Sequence, residues 1–473
     1  MDQRNFYIET YGCQMNVSDT EIVNSILMEQ GMQPVQEPEQ SDIIFINTCS
    51  IRKNAETRVW NRLKEFRSLK KEKDGNLTVG VLGCMAERIR ENIMEKEELV
   101  DLVVGPDAYR DLPKLLAEVN DGRKAINVIL SQEETYADVK PVRTNDNGVN
   151  AFVTIMRGCD NMCAFCVVPF TRGRERSRPI ESILDELGRL SDQGYKEVTL
   201  LGQNVNSYLD EDNDFTKLMY EASQVDPEMR IRFSSPHPKD FPEELLHVIA
   251  EKPNLCNYIH IPAQSGNNAV LERMRRPYTR EQYFKLVDRM REIIPGLTLS
   301  TDIITGFCGE TEEEHDDTMT LMANVQYDLA YMFAYSERGR TLAQRKYEDD
   351  VPEDVKKRRL SEIIEQQMNI QGELNKREIG RRHLVLAEGT SKRSDEQLKG
   401  RTDTNKMVVF DRQDFEKGDY IEVQITDCTS ATLMGDLIGK SSIAEFSREK
   451  KVVTPKDVIY NLSTGTANFT PAL

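Results

Sequence analysis

Between Phe6 and Tyr335 short apolar runs alternate with amphipathic stretches, a pattern that confines a chain to parallel α/β sheets. The first segment predicts strands over Phe6–Thr10, Ile43–Asn47, Leu77–Leu82 and Leu99–Val104. Helices are expected behind a Ser18-Asp19-Thr20-Glu21 capping box and over Arg52–Lys71, Glu87–Glu97 and Tyr109–Val119. That is a small doubly wound α/β domain with a parallel sheet, residues 4–120. A polar linker, residues 121–144, follows with one strand at Ala125–Leu130. Residues 145–375 predict six more strands: Ala151–Met156, Glu197–Leu201, Met229–Phe233, Asn257–Ile261, Leu297–Ile304 and Leu329–Phe333. Six βα units are too few for a closed eightfold barrel, so an open partial (β/α)6 barrel is expected. Beyond a long charged helix at Pro352–Arg382, five short strands with Gly-rich turns predict a small antiparallel β-barrel over residues 376–440. Residues 441–473 read as a loosely held tail.

The length of 473 residues fits three domains of this kind at roughly 150 residues each. A net charge of −18 argues against a surface that binds nucleic acid everywhere, though it leaves room for a local basic site. Apolar runs are far shorter than the about 20 residues a membrane helix needs, and the N-terminus has no signal-peptide core. The expectation is a cytoplasmic protein that does not touch a membrane.

Nine cysteines, an odd number in such a chain, favour metal or catalytic use over a disulfide framework. Cys159, Cys163 and Cys166 are spaced C-x3-C-x2-C directly after a strand. Three thiolates at that spacing suit three irons of a 4Fe-4S cluster and leave the fourth iron open. Zinc is the rival, but a structural zinc site wants four ligands and none of the five histidines is near in sequence. Cys13, Cys49 and Cys84 each follow a strand of the first domain, so all three are expected at one edge of one sheet. A second cluster there competes with the plainer reading of small buried cysteines. Gln203 and Asn204 end the second strand of the partial barrel, and Ser234 the third. His260 and Gln264 end the fourth, with Asp302 and Gly306 on or after the fifth. Arg172, Arg174 and Arg176 alternate just past the cysteine loop, Arg381 and Arg382 flank the β-barrel, and Arg401 lies within it. The barrel region carries 12 basic and 12 acidic residues, so any RNA contact there rests on a patch rather than on net charge.

The C-x3-C-x2-C loop, with Phe165 before its third cysteine, resembles the radical S-adenosylmethionine (SAM) superfamily. The resemblance implies SAM bound through its amino and carboxylate groups to the open iron and split into methionine and a 5′-deoxyadenosyl radical. Three further strings are Thr10-Tyr11-Gly12-Cys13-Gln14-Met15-Asn16, Asn47-Thr48-Cys49-Ser50 and Gly83-Cys84-Met85-Ala86. With Gly158–Pro179, they make the chain similar to the methylthiotransferase family from about Asn5 to Lys440. Gly158–Pro179 looks like the branch that acts on tRNA. The end of the chain resembles a TRAM domain, with Glu388-Gly389 and Gly400-Arg401-Thr402 in place. One departure is Cys308, where many relatives have proline.

The resemblance implies a radical SAM enzyme that methylthiolates carbon 2 of N6-dimethylallyladenosine at position 37 of tRNA, next to the anticodon. It implies two 4Fe-4S clusters: Cys159, Cys163 and Cys166 hold the one that cleaves SAM, and Cys13, Cys49 and Cys84 hold an auxiliary one that supplies or presents sulfur. A second SAM gives the methyl group. SAM or substrate contacts are expected from Phe165, Gln203, Asn204, Ser234, His260, Gln264, Asp302 and Gly306. RNA contacts are expected from Arg172, Arg174, Arg176, Arg381, Arg382 and Arg401. Implied partners are the tRNA anticodon stem-loop, an electron donor such as flavodoxin or ferredoxin, and a sulfur-carrier or cluster-assembly protein, with the chain acting as a monomer. Two alternatives stay open. One is methylthiolation of threonylcarbamoyl-adenosine or of a ribosomal protein. The other is a two-cluster electron-transfer protein with an RNA-binding module.

Overall fold

A computed structural model describes residues 4–49, 53–90, 92–144 and 147–453. Ser50, Arg52 and residues 454–473 of the expected tail lie outside the described residues. The first sheet holds β1 (Asn5–Tyr11), β2 (Gln33–Pro34), β3 (Ile43–Thr48), β4 (Thr78–Leu82), β5 (Leu102–Val104) and β6 (Ala125–Asn127). All its ladders are parallel, in the order β2-β1-β3-β4-β5-β6. Every residue of β3 is buried, as a parallel strand covered on both faces requires. Helices α1 (Gln14–Glu29) and α5 (Leu112–Asn120) pack on one face. The other face takes α2 (Lys53–Glu72), α3 (Cys84–Ile89) and α4 (Asn92–Lys96).

Three expectations are corrected here. Helix α1 starts at Gln14, ahead of the expected capping box, and Ser18, Asp19 and Glu21 are buried within it. The helix expected over Glu87–Glu97 breaks at Arg90, whose φ of 55° ends α3 before α4 begins. Residues read as linker extend the first domain: β6 pairs with β5, and Tyr136 and Val139 join the same core.

The second domain opens with β7 (Asn150–Thr154). Next, β8 (Met156–Arg157) and β9 (Arg176–Ser177) pair antiparallel and pinch off the cysteine loop, which contains α6 (Val168–Thr171). In order follow α7 (Ile180–Asp192), β10 (Glu197–Leu201), the hairpin β11 (Leu209–Asp210) and β12 (Asn213–Asp214), α8 (Phe215–Val225) and β13 (Arg230–Phe233). Then come α9 (Glu243–Glu251), β14 (Tyr258–His260), α10 (Asn268–Arg273), α11 (Arg280–Ile293), β15 (Thr298–Thr305) and α12 (Glu312–Val325). The domain closes with β16 (Leu329–Ala334), α13 (Leu342–Lys346) and α14 (Glu353–Lys376). Parallel ladders run β7-β10-β13 and β14-β15-β16, and the two triplets meet where Ile231 bridges Leu255. Among the described residues no ladder joins β7 to β16, so the six strands form an open partial barrel. Its core takes the apolar stripe of α7, Ile180, Ile183, Leu187 and Leu190, spaced for one helix face.

Strands β17 (Arg382–Thr390), β18 (Gln397–Arg401), β19 (Met407–Asp411), β20 (Tyr420–Cys428) and β21 (Leu433–Lys440) close into a barrel, in the order β17-β18-β19-β21-β20. The β19–β21 ladder is parallel, so the barrel is not wholly antiparallel as expected. Where a loose tail was expected, α15 (Ile443–Val453) follows. The Glu228 carboxylate accepts the Ile443 N–H at 2.7 Å and the Ala444 N–H at 3.0 Å, and Ile443 is buried. Among the described residues no helix is long and apolar enough to cross a membrane.

The β-barrel docks on the N-terminal edge of the partial barrel. Arg230 donates to Arg401 O at 2.7 Å and Leu384 O at 2.6 Å. Arg232 donates to Asp403 O at 2.8 Å and Thr402 O at 2.6 Å. Tyr420 Oη reaches Lys196 O and Glu228 O, both at 2.9 Å, and Lys406 Nζ meets Asp328 at 2.7 Å. Lys196, Glu228, Arg230 and Asp328 all stand at or just before strand starts, opposite to the end where ligands gather. Arg230→Met removes two charge-assisted hydrogen bonds, each worth about 1.5–3 kcal/mol. Amide exchange in β17 and β20 is expected to accelerate while that in β10 and β15 stays slow. Unchanged protection in β17 would show that Arg230 does not hold the interface.

Candidate functional site

Cys13 follows β1, Cys49 follows β3 and Cys84 follows β4. Between β1 and β3 the strand order reverses, and a doubly wound sheet opens its ligand crevice at that point. Two glycines make the close approach possible. A Cβ on Gly12 would stand 2.6 Å from Cys49 Cβ. A Cβ on Gly83, whose φ is 86°, would strike Asn47 Oδ1 and come within 2.9 Å of Thr48 O. Asn16 and Asn47 tie the loops: Asn16 Nδ2 donates to Asn47 Oδ1 at 3.2 Å, and Asn47 Nδ2 donates to Asn16 O at 2.8 Å. A hydrogen bond with the Cys49 thiol, together with the Arg172 guanidinium, pulls the Cys13 thiol down. Burial pushes Cys84 up against the same Arg172.

The second set sits on the loop between β8 and β9. Gly158 has φ 79°, and its missing Cβ makes room for the Arg174 carbonyl. The Cys159 N–H donates to Gly173 O at 3.1 Å, which folds the loop back on itself. Cys163 Sγ accepts from Arg276 Nη1 at 3.4 Å, and Cys166 Sγ accepts from the Val168 N–H at 3.4 Å. Burial pushes the Cys159 thiol up to about 12, and burial with the neighbouring Cys163 raises Cys166. Among the described residues no three His, Cys, Asp or Glu side chains form a group fit for a single metal ion. A four-iron cluster asks for a different arrangement, one thiolate on each of three irons.

The expected SAM contacts divide. Gln203 Oε1 accepts the Gly158 N–H at 2.6 Å, and its buried Nε2 has no partner. Asn204 Nδ2 donates to Glu175 at 3.1 Å and leaves Oδ1 unpartnered. Gln264, with φ 67°, lies across from Ile303, and its Oε1 is unpartnered. His237, past the end of β13, accepts the Lys239 N–H on Nδ1 at 3.1 Å, so its proton is on Nε2, a buried donor without a partner. Ser234 also follows β13, its N–H given to Leu200 O at 3.1 Å. His260 and Asp302 lie on the neighbouring strands β14 and β15, 3.6 Å apart, with His260 Nδ1 2.8 Å from Ser300 Oγ. Phe165 packs beside the buried Ala164, Val270 and Met274. At Gly306, just past β15, a Cβ would meet Lys356 Cγ at 2.5 Å, so packing on α14 also asks for glycine there.

The arginine expectation changes most. Arg172 is buried against Asp19 at 2.6 Å, and Arg176 is buried against Asp107 at 3.0 Å and Ser131 O. Neither is open to RNA, because both side chains turn inward to dock the first domain. Arg174 alone of the three is exposed, 3.3 Å from Asp160. On the β-barrel, Arg381 pairs with Glu378 at 3.3 Å, Arg382 with Glu422, and Arg401 with Glu388 at 3.4 Å. Residues the pattern did not flag carry the geometry instead: Asn16 and Asn47, Arg276 at Cys163, and Asp19 with Arg157. The sequence places Asp19 only within the expected capping box, whereas it lies buried inside α1.

Three family descriptions match in series: the uncharacterized protein family UPF0004 over residues 5–105, the radical SAM superfamily over 153–322 and the TRAM domain over 376–438. A tRNA-2-methylthio-N(6)-dimethylallyladenosine synthase of Chloroherpeton thalassium is 55% identical over 434 residues, 91% of this chain and 96% of that protein. The mitochondrial tRNA methylthiotransferase CDK5RAP1 of Mus musculus is 49% identical, over 94% of this chain and 82% of its own length. Among solved structures, the radical SAM methyltransferase TsrM of Kitasatospora setae superposes with a TM-score of 0.53 at 14% identity, covering 70% of this chain and 73% of that one. That likeness speaks to the fold alone. With more than half of its residues shared with a synthase that it covers almost end to end, the chain belongs to the radical SAM tRNA methylthiotransferase family.

Proposed function

We infer that this enzyme methylthiolates carbon 2 of N6-dimethylallyladenosine in tRNA. In this reading Cys159, Cys163 and Cys166 hold the SAM-cleaving 4Fe-4S cluster, and Cys13, Cys49 and Cys84 hold an auxiliary one. The observation that carries the reading is a pair of three-thiol sets, one past three parallel strands of the first sheet and one on the β8–β9 loop, in two domains clasped by the buried contact of Asp19 with Arg157 and Arg172. A pure electron carrier has no use for clusters left one protein ligand short. Cys159, Cys163 and Cys166 would hold a cluster that, with SAM, would supply the radical chemistry an aromatic C–H requires, a bond no side chain can deprotonate near neutral pH.

The chain's own residues bind and orient. Gln203 Nε2 and His237 Nε2 are buried donors without partners, suited to a carboxylate. Gln264 Oε1 and Asn204 Oδ1 are buried acceptors without partners, suited to an ammonium or the N–H edge of a base. Burial, with the nearby Arg276 charge, pulls His237 down to about 3, so it stays a neutral donor at any working pH. Arg276 donates to Cys163 Sγ and fixes its place, while Asn16 and Asn47 hold the first-domain loops. Arg174, exposed beside the cysteine loop, is the residue assigned to RNA phosphate. Arg381, Arg382 and Arg401 contact RNA by exchanging their carboxylate partners for phosphate. Reductive cleavage of SAM takes one electron from outside, so a flavodoxin- or ferredoxin-type donor completes the scheme. A sulfur-carrier or cluster-assembly protein replaces the sulfur consumed. The chain works as a cytoplasmic monomer alongside its tRNA.

The full chain reconstituted anaerobically is expected to bind about eight irons, two clusters of four. Cys159→Ala is expected to abolish both 5′-deoxyadenosine and methylthiolated nucleoside. Cys49→Ala is expected to keep 5′-deoxyadenosine formation and lose the methylthiolated nucleoside, read by mass spectrometry from one reaction. Normal product from Cys49→Ala would overturn the role of the first-domain cysteines.

The two arginines are expected to separate. Arg174→Ala lowers the salt slope of tRNA binding by about one unit with little change in stability. Arg176→Ala leaves Asp107 buried without its partner and costs about 3–5 kcal/mol in urea unfolding. An unaltered salt slope in Arg174→Ala removes that residue from the RNA interface.

A further inference from the structure

Three guanidiniums and two carboxylates meet where the first domain docks on the partial barrel. Asp19 is shared by Arg157 and Arg172, and Asp107 takes Arg176. All five side chains are almost fully shielded, with relative exposures between 0% and 4%. Two negative charges in direct contact with three positive ones leave one positive charge over. A buried charge without a counter-charge is costly enough that it requires a partner. Tyr136 lies under Arg157, its ring 4.7 Å away, but a neutral ring does not balance a full charge.

The surplus points toward the first-domain cysteines. Arg172 is the C-cap of α6, and α6 packs on α3, whose first residue is Cys84. Its Asp19 partner lies on α1, the helix that starts directly after Cys13. With Nη2 on Asp19, Nη1 is buried and has no partner. The acidic groups that act most on Arg172 are Asp19, Cys84 and Cys13, and it also acts on Asp107 and Tyr109. Three thiolates around a 4Fe-4S core make a net anion, the charge this corner lacks.

We propose that Arg172, carried by the radical SAM domain, is the counter-charge of the auxiliary cluster held by Cys13, Cys49 and Cys84, with Nη1 donating to a sulfur there. This rests on the reading of those cysteines as cluster ligands. Arg172 is a positioning residue: Asp19 aims it, and it acts on the cluster through charge and a hydrogen bond. Both raise the reduction potential of an iron–sulfur cluster. Because the guanidinium belongs to the other domain, loading the cluster strengthens domain docking, and docking strengthens loading by the same factor.

The test uses the full-length chain with Cys159, Cys163 and Cys166 all replaced by Ala, so that iron and electron paramagnetic resonance report one cluster. With Arg172 present it binds about four irons. Arg172→Met is expected to shift the one-electron reduction equilibrium at least tenfold toward the oxidised form, about 59 mV. Arg172→Lys is expected to restore more than half of the shift. Asp19→Asn removes a negative charge and is expected to move the potential the opposite way, a sign reversal that a merely structural role does not produce. If Arg172→Met fails to fold, Asp19→Asn decides the matter: a potential equal to the parent's overturns the role of Arg172. In the Arg172 parent, loading is expected to slow amide exchange in β7 and α1, and this slowing is lost in Arg172→Met. Four irons with equal potentials across the series overturn the role of Arg172 alone. Absence of iron from the parent overturns the cluster reading and this proposal with it.

Discussion

Asp19 has no exposed surface, and its two carboxylate oxygens face two guanidiniums from another domain. Burying a carboxylate is tolerable only with such pairing, and burying Arg157 and Arg172 is tolerable only with Asp19. The contact therefore makes the first two domains one unit. Around it gather Ser18, whose hydroxyl meets Thr154 Oγ1 at 2.8 Å, and Met15, whose sulfur lies 3.8 Å from the same hydroxyl. Helix α1 is thus covered on both sides, by its own sheet and by β7. The relative placement of the two thiol sets depends on this seam more than on either sheet.

Within each set, backbone economy does the work. Gly12, Gly83 and Gly158 each precede a cysteine at a point where a methyl group would collide with a neighbouring loop. At Gly83 and Gly158 the φ angles, 86° and 79°, add a conformational reason for glycine. The asparagine pair Asn16 and Asn47 then uses its amides as cross-links between loops that belong to different strands.

Much of this was legible in the sequence because the signals are local. Strand positions followed from apolar runs such as Ile43–Asn47, and the edge shared by Cys13, Cys49 and Cys84 followed from parallel pairing alone. What could not be read depended on distant partners. Arg172 and Arg176 look like a basic stripe until Asp19 and Asp107 are placed opposite them, 153 and 69 residues away along the chain. The start of α1 was missed because its cap is a cysteine, which carries no helix-start signal. At Gly306 the sequence shows only a residue past a strand; the packing demand for glycine appears once α14 is placed against it.

The β-barrel is bound at the strand starts, whereas both thiol sets follow strand ends. Between these levels runs β15, which has eight residues, a length of about 26 Å at roughly 3.3 Å per residue. On the proposed function, an RNA held by the barrel that offers a base to the thiol sets has to traverse that height along the flank of the protein. In that function the protein is then a fixed gauge, with the barrel and the thiol sets held a set distance apart along the flank. On that reading, an RNA whose fold cannot bridge the interval presents the same base yet does not seat.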